Sequence, residues 1–222
     1  GISKSKKLIN ETIPTIAKAR NISVQHLKNN VRDLRFTTQL TSILTDARIV
    51  IETATEDFEI KRELLAKAGR YSPANCIITS NTSSFSASLL AEWSIRSDSF
   101  AITHFFNPCY LLPLVEIMPG PNTKKEVTDF LFTLFHQMDK TPMLIKKEVP
   151  GLVGNRLQNA LGREAAALVD DRIATPEDVD TVVKFGFGRR LALAGPFEIW
   201  APIGWDLVST IASELFKEIS VD

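Results

Sequence analysis

A strand, helix and strand pattern in residues 47–80 most constrains the fold of this chain. Residues 47–52 form a compact β-branched segment, residues 57–68 carry apolar side chains at helical spacing, and residues 76–80 are a second short apolar segment. Such a unit predicts a parallel sheet covered by helices, in which ligands bind at the carboxyl ends of the strands. The polar segments that follow the strands are therefore the candidate site. They are residues 52–61, 81–84 and 104–107.

One of these segments carries a histidine with a carboxylate twelve positions later. His104 begins the sequence HFFNP, and Glu116 lies within the apolar residues 111–118, which read as a buried strand between prolines. A lone histidine beside two phenylalanines is more often a core residue than a catalyst. A buried carboxylate needs a partner, however, and an imidazole held by one is equipped for general acid/base chemistry.

Composition excludes several function classes. The 222 residues are 44% hydrophobic and 23% charged, which is typical of a globular protein with one or two domains. The formal net charge is zero, so we predict neither a nucleic acid nor an anionic membrane as partner. No apolar stretch has the length of a membrane span, and the N-terminal residues lead into polar sequence, so we expect a cytoplasmic protein. Cys76 and Cys109 lie far apart without a histidine cluster, which predicts reduced thiols and no metal.

The pattern of apolar residues changes from residue 150 onward, where helical periodicity replaces short strand-like segments. Residues 157–169 and 207–219 are amphipathic, and Thr175 followed by proline and two acids predicts a helix start. Near the N-terminus we predict helices at residues 4–19, kinked or interrupted at Pro14, and at 24–31. A strand-to-helix passage is expected over residues 35–44. The domains are predicted at residues 1–149 and 150–222.

Five motifs occur in order and at compatible spacing: SNTSS at residues 80–84, HFFNP at 104–108, LVE at 114–116, PGLVGNR at 150–156 and GPFE at 195–198. With them the chain resembles the 3-hydroxyacyl-CoA dehydrogenase family from about residue 45 to 210. The resemblance implies an α/β fold, in which a Rossmann-like parallel sheet binds NAD and an all-α C-terminal domain contributes to the substrate site and forms a homodimer. It implies NAD-dependent oxidation of a 3-hydroxyl to a ketone in a hydroxyacyl-CoA or a free hydroxy acid.

The resemblance also assigns roles to individual residues. His104 corresponds to the catalytic base and Glu116 to the group that orients it, whereas Ser83 and Asn155 correspond to residues that position the substrate oxygen. The implied contacts to the ribose and nicotinamide half of NAD are Glu56, Lys61, Ser83 and Asn107. Local sequence offers alternatives: Asn155 as a helix cap, Ser83 as a turn residue and Lys61 as a solvated helix residue.

The chain departs from the family pattern in two places. The glycine-rich turn that holds the pyrophosphate, together with its strand and helix, has no counterpart, so the Rossmann-like sheet is expected to be incomplete at its N-terminus. We favour a fragment of a longer dehydrogenase, and a natural short homologue is the alternative. The segment before GPFE is also longer and contains Arg189 and Arg190, which suit a carboxylate substrate if they are more than a surface pair. A non-catalytic, crystallin-like relative is the alternative function.

Overall fold

The computed structural model describes residues 1–220, which divide into two compact units. The first runs from Gly1 to Val153, and the second begins at Gly154. The first unit contains a five-stranded sheet with the strands in sequence order. The strands are β1 (Ile49–Glu52), β2 (Ile77–Ser80), β3 (Phe100–Phe105), β4 (Leu114–Pro119) and β5 (Thr141–Leu144).

The sheet is mixed rather than wholly parallel. β1, β2 and β3 are parallel neighbours, as the strand–helix–strand pattern predicts. β4 pairs antiparallel with β3 and parallel with β5. The expectation of a parallel sheet is therefore wrong for the β3–β4 pair. Residues 106–113 are too few for the crossover that a parallel connection needs, so the chain can only turn back beside β3.

Helices connect the strands of the first unit and precede them. They are α1 (Ile2–Arg20), α2 (Val24–Asn30), α3 (Leu40–Leu44), α4 (Phe58–Tyr71), α5 (Ala87–Trp93) and α6 (Lys125–Gln137), with a short 3₁₀ turn at Ser97–Ser99. α1 continues through Pro14, so the predicted interruption is wrong, and the helix buries Ile13 and Ala17. No strand forms at residues 35–39, where the chain runs irregularly into α3.

The sheet is covered by apolar packing on both faces. On one face Phe100 and Ile102 pack with buried side chains of α3, α4 and α5. On the other face Ala101 packs with Val127, Leu131 and other buried side chains of α6. Successive strand residues point to opposite faces, so His104 lies on the same face as Phe100 and Ile102, at the carboxyl end of β3.

The second unit is helical, as the sequence indicates. Its helices are α7, which spans Leu152–Asp170 and so begins two residues before the unit boundary, α8 (Pro176–Phe185), α9 (Gly188–Leu191), α10 (Pro196–Trp200) and α11 (Trp205–Leu215), with a 3₁₀ turn at Ala201–Ile203. Thr175 caps α8 and forms a capping box with Asp178, which confirms the predicted helix start. Large apolar side chains remain exposed, including Leu193, Phe185 and Phe197.

Three further features are the state of the cysteines, the possible metal-ligand groups and the possible membrane-spanning helices. Both cysteines are free thiols, Cys76 buried and Cys109 exposed. Within residues 1–220, no group of three or more His, Cys, Asp or Glu side chains is arranged to hold a metal ion. Among the same residues, no helix combines the length and the apolar character needed to cross a bilayer.

Candidate active site

His104 and Glu116 form a buried pair at the junction of β3 and β4. The two residues are direct partners in the antiparallel register, which places both side chains on the same face of the sheet. His104 Nδ1 lies 2.9 Å from Glu116 Oε2. Glu116 is fully buried and His104 is 8% exposed. The structure therefore brings together the two residues that the sequence singled out.

The second carboxylate oxygen of Glu116 is also held by the protein. Oε1 accepts a hydrogen bond of 2.9 Å from the backbone N–H of Val153, in the first turn of α7. The preceding Leu152 is buried and has a left-handed φ of 55°, beside Gly151 with a φ of 78°. This turn directs the Val153 amide toward the carboxylate. With both oxygens engaged, the plane of the Glu116 carboxylate is fixed relative to the imidazole.

The pairing determines which imidazole nitrogen is basic. A carboxylate can only accept hydrogen bonds, so Nδ1 of His104 is assigned as the protonated nitrogen and Nε2 carries the lone pair. The imidazole also meets the ring of Phe106 edge to face, with the centroids 5.2 Å apart. An oriented imidazole with a free Nε2 lone pair can accept a proton from a hydroxyl group.

Asn81 fixes the backbone next to the histidine. It follows β2, and its side-chain oxygen accepts a hydrogen bond of 2.8 Å from the amide of Phe105. Phe105 is the residue directly after His104 at the end of β3. Asn81 was not among the predicted site residues, although it begins a segment that the strand pattern had marked. The asparagine links the carboxyl ends of two parallel strands.

Lys61 is buried rather than solvated. It is 1% exposed, and its ammonium lies 2.9 Å from Glu52 Oε2, 3.1 Å from Glu56 Oε2 and 3.3 Å from the carbonyl oxygen of Ala54. The alternative of a surface helix residue is therefore wrong. α4 begins after the turn that follows β1, so its first turns carry Lys61 back over the carboxyl end of the strand.

Glu56 extends this network to the loop after β2. Its Oε1 accepts hydrogen bonds from the Thr82 hydroxyl and from the Ser84 amide, and its side chain is 37% exposed. Partial burial disfavours the charged form, but the hydrogen bonds from Thr82 and Lys61 and the charge of Lys61 outweigh it. Together they hold the pKa of Glu56 below its usual value. Glu56 is thus a partly exposed carboxylate in its ionised form near neutral pH.

Ser83 and Asn107 lie in the loops at the same strand ends. Ser83 is half-buried between Thr82 and Ser84, both of which contact Glu56. Asn107 is exposed and precedes Pro108 through a cis peptide bond. Because β2 and β3 are parallel neighbours, these loops emerge at one edge of the sheet.

Asn155, Arg189 and Arg190 belong to the second unit. α7 begins three residues before Asn155, so the alternative of a helix cap is wrong; the carbonyl oxygen of Asn155 accepts a hydrogen bond from Asn159. Both arginines are exposed on the short helix α9. The Arg189 guanidinium lies over the Phe185 ring, 5.5 Å from its centroid.

Comparison with known families covers almost the whole chain. Residues 1–149 match the family described as 3-hydroxyacyl-CoA dehydrogenase, NAD binding domain. Residues 151–222 match 3-hydroxyacyl-CoA dehydrogenase, C-terminal domain. The chain belongs to the 3-hydroxyacyl-CoA dehydrogenase family. The resemblance seen in the five sequence motifs is thereby confirmed.

The relatives of the chain include proteins named L-carnitine dehydrogenase and a protein named 3-hydroxyacyl-CoA dehydrogenase. An L-carnitine dehydrogenase of Oceanobacillus iheyensis is 39% identical over 164 residues, which is 74% of this chain and 53% of that protein. A 3-hydroxyacyl-CoA dehydrogenase of Gibberella moniliformis is 36% identical over 167 residues, which is 75% of this chain and 52% of that protein. The chain thus spans about half the length of the curated relatives it matches.

The fold has close counterparts among solved structures. A 5-formyl-3-hydroxy-2-methylpyridine 4-carboxylic acid 5-dehydrogenase, described as an NAD⁺-dependent dismutase, superposes with a TM-score of 0.90 at 26% identity. The match covers all of this chain and 71% of that one. The (S)-3-hydroxybutyryl-CoA dehydrogenase PaaH1 of Ralstonia eutropha gives 0.76 at 28% identity, covering 97% and 75%. The architecture of a Rossmann-like sheet followed by a helical part is therefore that of the family.

Proposed function

We propose that the protein to which this chain belongs is an NAD-dependent dehydrogenase that oxidises a 3-hydroxyl group to a ketone. The observation that carries the proposal is the buried His104–Glu116 pair at the carboxyl end of β3. Ligands of parallel sheets bind at that edge, and a base is needed there to remove the hydroxyl proton. Membership of a dehydrogenase family supports the same reaction.

The polar residues at the ends of β1, β2 and β3 fit the ribose and nicotinamide half of NAD. The partly exposed carboxylate of Glu56 is an acceptor for ribose hydroxyls, and Lys61 lies against it. Ser83 and Asn107 offer a hydroxyl and an amide in the neighbouring loops. NAD, when bound, supplies the hydride acceptor. The remaining task of the protein is to orient the substrate and to move a proton.

His104 performs that proton transfer in the proposed mechanism. Glu116 holds Nδ1–H, so Nε2 accepts the proton of the substrate hydroxyl as the carbonyl forms. The carboxylate keeps its hydrogen bond to Nδ1–H while the imidazolium forms, so the ring stays oriented during the transfer. Glu116 is a positioning residue, whereas His104 is the base. Ser83 and Asn155 are proposed to hydrogen-bond the substrate oxygen, the amide doing so without titrating.

The substrate class is proposed from the relatives and from α9. Several relatives are named L-carnitine dehydrogenase, and carnitine is a free hydroxy acid. Arg189 and Arg190 are suited to bind a carboxylate through paired N–H donors. We therefore favour a free hydroxy acid over a 3-hydroxyacyl-CoA thioester. The thioester remains the second candidate because a Gibberella relative carries that name.

The domain roles follow the same proposal. Residues 1–149 bind the dinucleotide, and residues 150–222 contribute to the substrate site and to a homodimer. The cytoplasmic location stays a prediction from the sequence. The non-catalytic, crystallin-like alternative is not favoured, because relatives such as those from Oceanobacillus and Gibberella are named as dehydrogenases.

The proposal is tested by titrating NADH into the protein to which this chain belongs and following energy transfer from its tryptophans, three of which lie in this chain, to the nicotinamide. Saturable binding is expected. Absence of binding by the folded protein would contradict the cofactor assignment for these residues. A second assay compares NAD reduction with L-carnitine and with an L-3-hydroxyacyl-CoA. Reduction with the free acid alone supports the favoured class, and reduction with the thioester alone supports the second candidate.

A further inference from the structure

A buried carboxylate to which the family resemblance assigns no role contacts Lys61, one of the proposed cofactor residues. Glu52 ends β1 and is 6% exposed. Both of its side-chain oxygens lie within 3.1 Å of the Lys61 ammonium. Oε2 also accepts a hydrogen bond from the Ser80 hydroxyl, and Oε1 accepts one from the Ala54 amide. Ser80 is the partner of Glu52 in the β1–β2 register, so the strand pairing itself places this hydroxyl.

The ammonium of Lys61 has three N–H donors, and three residues provide acceptor oxygens around it. These acceptors are Glu52, Glu56 and the carbonyl oxygen of Ala54. At 1% exposure the ammonium has no donor turned to solvent. Lys61 is therefore poorly placed to bind a ligand directly, and its effect on a ligand passes through Glu56.

Two carboxylates share this single ammonium, but they differ in exposure. The side chain of Glu52 is 4% exposed and that of Glu56 is 37% exposed. A buried ion pair is costly to desolvate, and one carboxylate would be enough to neutralise the lysine. The second carboxylate leaves the cluster with one net negative charge, carried at its exposed end by Glu56.

We infer that Glu52 is a positioning residue for cofactor binding. It fixes the Lys61 ammonium in the interior, and Lys61 fixes Glu56, which also holds the loop around Ser83 through Thr82 and Ser84. At 6% exposure Glu52 is not placed to contact a ligand itself. This inference rests on the proposed NAD site, but the position of Lys61 can be measured without any cofactor.

The first experiment measures the burial of Lys61 by amine-reactive acetylation followed by mass spectrometry. Lys67, whose side chain is 43% exposed, serves as the internal reference on the same helix. In the wild-type chain Lys61 should react far more slowly than Lys67. Glu52→Gln should raise the Lys61 rate at least about tenfold, because a neutral amide holds an ammonium much less strongly. The matched control is Glu92→Gln, a change at an exposed position of α5, which should leave the rate unchanged.

The second experiment is a double-mutant cycle on NADH affinity. Glu52→Gln and Lys61→Met should each weaken NADH binding about tenfold, and the double variant should bind no more weakly than either single variant. Such non-additivity is expected if Glu52 acts through Lys61. A role in folding alone would not couple the two losses of affinity. Additive losses, or a folded Glu52→Gln variant with Lys61 still protected and NADH affinity unchanged, would overturn the inference.

The double variant also keeps the inference testable if Glu52→Gln alone does not fold. Removing Glu52 alone leaves a buried ammonium with one carboxylate, whereas the double variant removes both members of the pair. If only the double variant folds and it binds NADH as the wild type does, Glu52 has no positioning role. If the wild-type protein to which this chain belongs does not bind NADH, the proposed cofactor site fails, and the acetylation rates still decide whether Glu52 fixes Lys61.

Discussion

His104 and Glu116 are opposite each other in the antiparallel pairing of β3 and β4, and their side chains meet at 2.9 Å on one face of the sheet. Twelve residues separate them along the chain. The tight return of the chain after β3 makes them neighbours, and the amide of Val153 holds the carboxylate from the start of α7. The pair is therefore held by two strands and by the Val153 amide, all of which lie within the first unit.

Replacing His104 by glutamine should abolish oxidation while the protein stays folded. The amide has a similar size but cannot accept the hydroxyl proton, so turnover should fall about a thousandfold. The measurement is NAD reduction at saturating substrate, with thermal unfolding to verify the fold. His136→Gln, at an exposed position of α6, is the matched control. An active His104→Gln enzyme would exclude His104 as the base.

Glu116→Gln should lower turnover about a hundredfold or more with little change in KM, because it disturbs the orientation of the base. The carboxylate accepts from both His104 and Val153, whereas an amide has only one accepting atom. In the variant, the side-chain NH₂ group must therefore face either the imidazole N–H of His104 or the amide N–H of Val153, and that hydrogen bond is lost. Steady-state kinetics separates the two parameters. A rise in KM alone, at unchanged kcat, would contradict the role of Glu116.

Asn81→Ala should reduce both stability and turnover. The Phe105 amide loses its side-chain acceptor, which costs about 1–3 kcal/mol of unfolding free energy if the group stays buried. The strand end that carries His104 should also become less well fixed. Urea unfolding and NAD reduction are measured together, with the exposed Asn122→Ala as control. If Asn81→Ala matches this control in both assays, Asn81 does not hold the strand end.

The unfolding free energy should depend on pH through Glu56. Its pKa in the folded protein lies below the usual 4.5, so its ionised form stabilises the fold fully above that value. The contribution is lost as the pH falls through the lowered pKa. The stability difference between wild type and Glu56→Gln should therefore be largest near pH 6 and shrink toward about pH 3. Denaturant unfolding across this range measures it, and a difference that grows on acidification would reverse the assigned sign.

Arg189→Met together with Arg190→Met should distinguish the two substrate classes. If the arginines bind a free carboxylate, kcat/KM for L-carnitine should fall about tenfold or more, because a charge-assisted bidentate contact is lost. Oxidation of a 3-hydroxyacyl-CoA should change little. The exposed Arg172→Met of the same unit is the control. Equal losses with both substrates would remove the argument from the arginine pair.

The sequence identified the residues of the candidate site better than it identified their hydrogen-bond and ion-pair partners. Glu116 was recognisable as a charged group in an apolar strand, and His104 as its possible partner, because local hydrophobicity reports burial. Glu52 gives a similar signal at the end of β1, but its partner Lys61 lies on a helix, where lysine is usually exposed. Residue type alone therefore predicted the wrong environment for Lys61.

The sequence by itself determined the alternation of strands and helices, the helix cap at Thr175, the segments that meet at the sheet edge and the family. These features depend on local periodicity, capping chemistry and motif order, which can be recognised from residues close together in the sequence. Only the tertiary structure decided that β4 runs antiparallel to β3, that Pro14 is accommodated within α1, and that Asn81, Glu52 and the Val153 amide support the site. Strand direction and buried hydrogen bonds join residues far apart in the chain, and the packing of the whole domain selects among locally acceptable alternatives.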